Sequence, residues 1–199
     1  MKATVAEEMY MKVLAVNGSP RKNGNTATML REILSGAAEK GAKTRLVHLN
    51  DLTMKGCQGC LTCREKPGEC AHKDDFQGLL EEMKNCDAIA LGTPIYVFSV
   101  TGQFKCFLDR CYCFIDNSEE GTYRSVLPGG KKLALVTSQG NEDSQAYRHI
   151  IDYLLLLFSF LSGSSIEVIT QSGTEDKDSA RKDASLVERA RAVGRSLAS

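Results

Sequence analysis

Four thiols crowd one short stretch of the chain: Cys57-x2-Cys60-x2-Cys63-x6-Cys70. Spacing of this kind lets a single loop wrap a compact site, with backbone N–H groups turned toward the sulfurs. Gly56, Gly59 and Gly68 would allow the tight positive-φ turns that such wrapping needs. The run departs from the bacterial ferredoxin pattern, which has three residues before its last cysteine and a proline after it; Ala71 stands at that place here. On spacing alone three occupancies stay open: a [4Fe–4S] cluster, a zinc ion on four thiolates with His72 as a substitute ligand, or free thiols. Structural roles are expected for the other four cysteines. Cys111 falls on an apolar helical stripe with Phe104, Phe107, Leu108, Phe114 and Ile115; Cys86 closes a helix; Cys106 and Cys113 lie seven apart on another face, where an oligomer contact would explain them.

A second stretch suits anions. Gly18-Ser19-Pro20-Arg21-Lys22-Asn23-Gly24-Asn25-Thr26 links an expected strand to an expected helix. Unpaired N–H groups and the positive dipole end make a helix N-terminus a ready anion site. A short loop with Ser19, Arg21, Asn25 and Thr26 suits a phosphate monoester, although an ordinary capped turn uses the same residue types. It is not a dinucleotide fingerprint, since Pro20 occupies the second glycine position, and it lacks the Gly-Lys-Ser/Thr of a P-loop. Two further loops, Gly92–Ser99 and Ser138–Asn141, follow expected strands; Thr93-Pro94-Ile95-Tyr96 offers the rigid apolar and aromatic surface that a flat heteroaromatic ring needs. His48, His72 and His149 share no spacing with a nucleophile or metal partner, and Asp51 lacks the glycine fingerprint that would make it a ribose-binding acid.

To present three such loops together, the chain must place three strand ends along one edge. Short apolar runs at Lys12–Val16, Lys43–Leu49, Asp87–Gly92, Lys132–Thr137 and Ser165–Thr170 read as strands. Helical spacing occupies Thr26–Lys40 (Met29, Leu30, Ile33, Leu34 and Ala37 on one face), a segment capped by Asp74 or Asp75 with Leu79, Leu80 and Met83 inward, Gly102–Asp116, Ser144–Leu161 and Ser179–Leu197. The alternation predicts an α/β three-layer sandwich: a five-stranded parallel sheet, order 2-1-3-4-5, buried by helices on both faces and open to ligands between strands one and three. Ile150–Leu161 is apolar nearly all round and is expected to be buried on more than one side, by another subunit or by the C-terminal segment.

The chain has 199 residues, enough for one domain with a sizeable core, and its 25 basic residues balance 25 acidic ones. Zero net charge and the absence of tryptophan argue against a nucleic-acid groove or an anionic membrane surface. The longest uncharged apolar run, Tyr153–Ile166, is too short to span a bilayer. Met1–Tyr10 contains Glu7 and Glu8 and lacks the apolar core of a signal peptide; with Met11 as an alternative initiator, it reads as an extension to a cytoplasmic protein. Ser118–Gly121 and Glu175–Lys182 read as solvated loops.

GSPRKNGNT at 18–26 and GTPIYVFSVTGQFKCFLDR at 92–110, with the cysteine block between them, resemble the NAD(P)H-dependent FMN reductase family with its flavodoxin-like fold, and the block itself looks like that of the iron–sulfur flavoprotein branch. The resemblance runs from Lys12 to Asn141. It implies non-covalent FMN in a single domain at 11–199, with a cysteine-rich loop at 51–73. The phosphate would sit on the loop of Ser19, Arg21, Asn23, Asn25 and Thr26, and the ring against Pro94, Ile95, Tyr96, Val97 and Ser99. Ser138, Gln139 and Gly140 would close over its edge, and Cys57, Cys60, Cys63 and Cys70 would hold a [4Fe–4S] cluster. The expected function is electron transfer from NAD(P)H or a ferredoxin-like donor through FMN, in a homo-oligomer (dimer or tetramer), with no nucleic-acid or membrane partner. Three alternatives are an electron-transfer flavoprotein without turnover, a flavin-only reductase with free or zinc-bound cysteines, and a non-redox module with structural zinc.

Overall fold

Side chains of different size on the two faces of one sheet decide how its helices close on it. The structure, a computed structural model, describes residues 10–117, 119, 121–162, 164 and 166–199. Most of the expected N-terminal extension (residues 1–9), Ser118 and Glu120 of the acidic stretch, and Ser165 lie outside the described residues. In chain order the elements are β1 (Lys12–Asn17), α1 (Asn25–Glu39), β2 (Lys43–His48), α2 (Thr62–Glu65), α3 (Phe76–Asn85), β3 (Ala88–Tyr96), β4 (Ser99–Val100), α4 (Gly102–Arg110), β5 (Ile115–Asp116), β6 (Arg124–Ser125), β7 (Lys132–Ser138), α5 (Arg148–Ser162), β8 (Ile166–Gln171), α6 (Ser179–Lys182) and α7 (Ala184–Leu197), with 3-10 turns at Leu49–Asp51 and Cys111–Phe114.

Five parallel strands run in the order β2-β1-β3-β7-β8, the expected flavodoxin-like arrangement. A sixth, β4, folds back antiparallel on the end of β3, and β5 with β6 forms a separate pair. The register aligns Asn17 with Gly92 and Pro94 with Ser138, so the loops after β1, β3 and β7 emerge side by side. Alternation along the central strands sorts the core. Leu14, Val16, Leu91 and Leu135 face Phe76, Phe104, Phe107, Leu154 and Phe158 from α3, α4 and α5. Val13, Ala15, Ala90, Ala134 and Val136 face α1 and α7. The alanine-rich face leaves room for the second pair to sit close. α1 and α7 also touch backbone to backbone: a Cβ at Gly194 would fall inside the Ile33 carbonyl, and one at Gly36 inside the Arg191 carbonyl.

Several expected boundaries move for local reasons. β2 is an edge strand with Lys43, Thr44 and Arg45 exposed, not a strand buried on both sides. The expected helix to Asp116 stops at Arg110, because Ile115 and Asp116 pair with Ser125 and Arg124, and an Arg124–Asp116 ion pair at 2.7 Å fastens that ladder. The expected helix from Ser144 starts at Arg148, since the Asp143 carboxylate accepts from Gln145 N–H (2.9 Å) and holds a turn instead. The last expected helix is two, because Asp183 caps a new one by accepting from Leu186 N–H (3.0 Å). α5 is not covered on two sides by its own chain: Ile151, Leu154, Phe158 and Leu161 are buried, whereas Tyr153, Leu156 and Phe160 are exposed. Among the described residues no helix is long and apolar enough to cross a membrane.

Alanine for glycine inside a helix ordinarily stabilises by up to about 1 kcal/mol. Gly78 in α3 has open space round its missing Cβ, so Gly78→Ala should follow that rule. Gly194→Ala should reverse the sign and cost about 1–3 kcal/mol, because a carbonyl cannot rotate out of the way as a side chain can. Urea unfolding midpoints of the two variants check this pair of opposite outcomes.

Candidate functional site

The α1 N-terminus is built without a cap. Gly24 occupies the cap position, no side chain bonds the first-turn N–H groups, and Asn25, Thr26 and Ala27 are buried at the foot of the loop. Such a terminus offers several donors and a positive dipole end to an anion. Ser19 is buried, its N–H donating to Asn17 Oδ1 (3.0 Å) and its hydroxyl accepting from Arg21 N–H (3.2 Å). The Asn25 amide is committed elsewhere, donating to Asp176 O (2.8 Å) and accepting from Ala180 N–H (3.0 Å), so it anchors α6 and leaves only its backbone N–H to the loop. Asn23 is exposed and accepts from Arg31 (3.2 Å). Arg21, Asn23 and Gly24 open onto a cavity of about 640 Å³ shared with Lys177, Asp178 and Arg181. Three cations against one carboxylate give that approach a positive field.

The expected loop Thr93–Tyr96 is strand: β3 continues through it with Thr93, Pro94 and Ile95 buried and Tyr96 half exposed. At its tip Val97 (φ 47°) and Phe98 (φ 59°) both take left-handed backbone before the chain returns as Ser99–Val100. Two-residue hairpins favour Asn-Gly at such positions, and a β-branched residue there is strained. The tip nevertheless displays Val97 and Phe98 almost fully to solvent, with Phe98 edge-on to Tyr147 at 5.8 Å.

Hydrogen bonds knit the three loops. Gly18 N–H donates to Gly92 O (2.7 Å), and the Thr101 hydroxyl donates to Gly18 O (2.6 Å). Thr101 N–H donates to Thr93 Oγ1 (3.3 Å), and the Thr26 and Ser138 hydroxyls bond at 2.8 Å. Ser138 and Gln139 are buried and Gly140 is exposed beside them. The structure therefore brings the expected residues of all three loops to one edge, at the point where strand order reverses. Phe98 lies within the expected loop Gly92–Ser99, whereas Thr101 and Tyr147 were not among the sequence candidates; only the N-cap pattern at Thr101 could have signalled one of them.

The cysteine loop is closed at its base. Thr53 N–H donates to Asp75 Oδ2 (2.8 Å), Lys55 N–H to Asp74 Oδ2 (3.3 Å), and Asp75 N–H to Thr53 O (3.3 Å). Cys57, Cys60, Cys63 and Cys70 all line one cavity of about 180 Å³, with Cys57 and Cys60 exposed and the other two half-buried. Gly59 and Gly68 take the expected positive φ; Gly56 does not, and Leu61 (φ 61°) makes the third such turn instead. Gly59 N–H points at Cys57 Sγ (3.5 Å) and the Thr62 hydroxyl at Cys60 Sγ (3.6 Å). The Thr62 backbone and hydroxyl bonds hold the Cys60 thiol below its ordinary pKa, whereas burial pushes Cys63 up. Among the described residues no three His, Cys, Asp or Glu side chains converge as on a single ion. The other cysteines differ: burial pushes Cys86 up to about 11 and Cys113 up to about 12, and Cys111 is lost in the core. Cys113 is no surface residue, contrary to expectation; it backs the same cavity. Asp51 is exposed and pairs with Lys22 at 2.7 Å.

A family model described as NADPH-dependent FMN reductase matches residues 11–166. An iron–sulfur flavoprotein of Methanocaldococcus jannaschii is 42% identical over 100 residues, 50% of this chain and 51% of that protein. A second from the same organism is 32% identical over 148 residues, 73% of this chain and 72% of that protein. The chain thus spans about half the length of the first of these relatives. The solved NAD(P)H:quinone oxidoreductase from Methanothermobacter marburgensis superposes with a TM-score of 0.74, covering 95% of this chain and 100% of that one; at 18% identity the likeness is one of fold.

His48, at the end of β2, accepts from the Asn17 amide at Nδ1 (2.8 Å). Burial, then the Arg31 charge, lower its pKa below 6.5, with Asp51 opposing. The unfolded chain then binds the extra proton more readily, so stability is full above pH 6.5 and is lost as pH falls below it toward the folded value. His48→Gln should flatten this part of the stability profile between about pH 7.5 and 5.5, as read by urea unfolding.

Proposed function

Since the chain belongs to the NADPH-dependent FMN reductase family, in its iron–sulfur flavoprotein branch, we propose that it is an FMN-dependent oxidoreductase drawing electrons from a nicotinamide donor. The observation that carries this reading is the uncapped, buried α1 N-terminus facing the β3 end across the switch point. Bound FMN would supply hydride and single-electron chemistry. The protein's part is to hold and orient. First-turn N–H groups of α1 and the Ser19 and Thr26 side chains take the phosphate, and Arg21 draws it in. Pro94, Ile95 and Tyr96 flank the ring, with Val97 and Ser99 beside them, and Ser138, Gln139 and Gly140 close its edge. No side-chain acid or base is required of the chain.

Cys57, Cys60, Cys63 and Cys70 would hold a [4Fe–4S] cluster, which would supply a one-electron port. The donor set fits: N–H and O–H groups point at two of the sulfurs, and the thiols line the wall of a cavity instead of converging on one point. Eight free cysteines support a reducing, cytoplasmic setting.

Protein purified without oxygen should show flavin and cluster absorption together and oxidise NAD(P)H in steady state. Mass spectrometry should identify the released flavin as FMN, and Thr26→Asp should weaken its binding at least tenfold by placing a carboxylate against the phosphate. Stoichiometric FAD, or unchanged affinity in the variant, counts against the phosphate loop. Less than about one iron per chain at full FMN loading leaves the flavin-only reductase. Flavin and cluster without NAD(P)H turnover leave the electron-transfer protein.

The uncovered Tyr153–Leu156–Phe160 stripe of α5 supports a homo-oligomer, because a two-fold contact needs only one self-complementary patch. Light scattering should give a mass well above 21.7 kDa, and Leu156→Asp, at an exposed position, should return the folded monomer.

A further inference from the structure

A buried guanidinium in the wall of the cysteine cavity has a nitrogen without a partner. Arg110, the last residue of α4, is 2% exposed. Its Nη1 donates to Asp74 Oδ2 (2.8 Å) and Lys55 O (2.9 Å), its Nη2 to Asp74 Oδ1 (3.0 Å), and its guanidinium lies 4.4 Å from the centre of the Phe76 ring. These contacts use the outer nitrogens only. The Nε is buried and has no partner, although the side chain lines the cysteine cavity. The buried Nε2 of His72, in the same wall, is unpartnered as well. An N–H shut away from water with no acceptor costs about 1–3 kcal/mol, so the Arg110 Nε–H calls for an acceptor.

We infer that Arg110 is a positioning residue of the cysteine site, its Nε–H donating to the sulfur of a cluster on Cys57, Cys60, Cys63 and Cys70 and its charge favouring the reduced form. The inference rests on the cluster reading and deepens it. Each electron taken up adds one negative charge and no proton, so a fixed cation at the wall favours the reduced state. Burial opposes the charge on Arg110, but Asp74 and the Cys70 sulfur outweigh it and the guanidinium stays protonated. Asp74 takes the outer nitrogens, and the Nε of this cavity-lining side chain is left without a partner. Asp109 also lines the cavity, but its carboxylate is held by Lys105 at 2.5 Å. A purely structural clamp, joining Lys55 to Asp74 at the base of the loop, would account for the outer nitrogens but not for an unpartnered Nε in a guanidinium that lies beside the Cys70 sulfur.

Anaerobically reconstituted wild type, Arg110→Lys and the double variant Arg110→Gln/Asp74→Asn are compared for FMN, iron and sulfide content and for the cluster midpoint potential. Lysine keeps the charge and an ion pair but has no Nε; the amide pair keeps the volume and removes the cation together with its Asp74 counter-ion, and the Nε–H with them. With FMN and iron retained, both should shift the one-electron equilibrium at least tenfold toward the oxidised form, 59 mV lower, while the flavin potentials stay in place. An unchanged cluster potential at full iron overturns the inference, and so does loss of iron with FMN retained, which is the clamp's signature. Wild type that takes up no iron overturns the cluster reading itself, and this inference with it. The unaltered protein gives an answer independent of how the variants fold: with 15N-arginine, the reduced cluster should show hyperfine coupling to an arginine nitrogen, and its absence overturns the inference.

Discussion

Gly18 commits both of its backbone polar groups across the switch point, the N–H to Gly92 O and the carbonyl to the Thr101 hydroxyl. Nearly everything at the ligand edge follows from this knot. It fixes the Gly18–Thr26 loop against the end of β3, and through Thr101 it sets where α4 begins. The bonds are buried, so each is protected from competition by water, and each would leave an unsatisfied partner if broken. The Thr26–Ser138 bond extends the same logic to the third loop.

α4 carries the constraint to the second site. Thr101 caps its first turn and Arg110 ends its last, where the guanidinium grips both ends of the cysteine loop. Nine helical residues make a strut of about 13 Å. Phe104 and Phe107 root that strut in the core, and Phe76 meets Phe107 edge-on and lies under Arg110. The Gly18–Thr26 loop and the cysteine loop are therefore placed by the two ends of one rigid element, although they lie far apart in sequence.

How much of this the sequence disclosed depends on the range of the interactions. Strand order, the helical face of Met29 to Ala37 and the meeting of the three loops were legible, because period and alternation are local signals repeated many times. Arg110 was not: a single arginine on an amphipathic helix reads as surface, and its burial depends on Asp74 and Lys55, 36 and 55 residues away. Asn25 was legible as a loop residue, but its commitment to Asp176 and Ala180 spans more than 150 residues and leaves no trace in composition. The ends of α4 and α5 were misplaced where a short ladder and an Asp143 turn outweighed helical period.

The Val97–Phe98 tip shows the same lesson from the opposite side. Local preference argues against a two-residue turn there, since neither residue takes left-handed backbone readily and both are apolar. The turn persists because β3 and β4 are fixed on either side of it: Ile95 pairs with Val100, Tyr96 with Ser99, and Thr101 is locked to Gly18. Strain that survives only because its surroundings over-determine it clusters at functional sites. Here it holds two apolar side chains out over the ligand edge, with Tyr147 as the partner of one of them. The knot at Gly18 thus holds the Gly18–Thr26 loop in place and also keeps an unfavourable, exposed apolar tip standing at the same edge of the sheet.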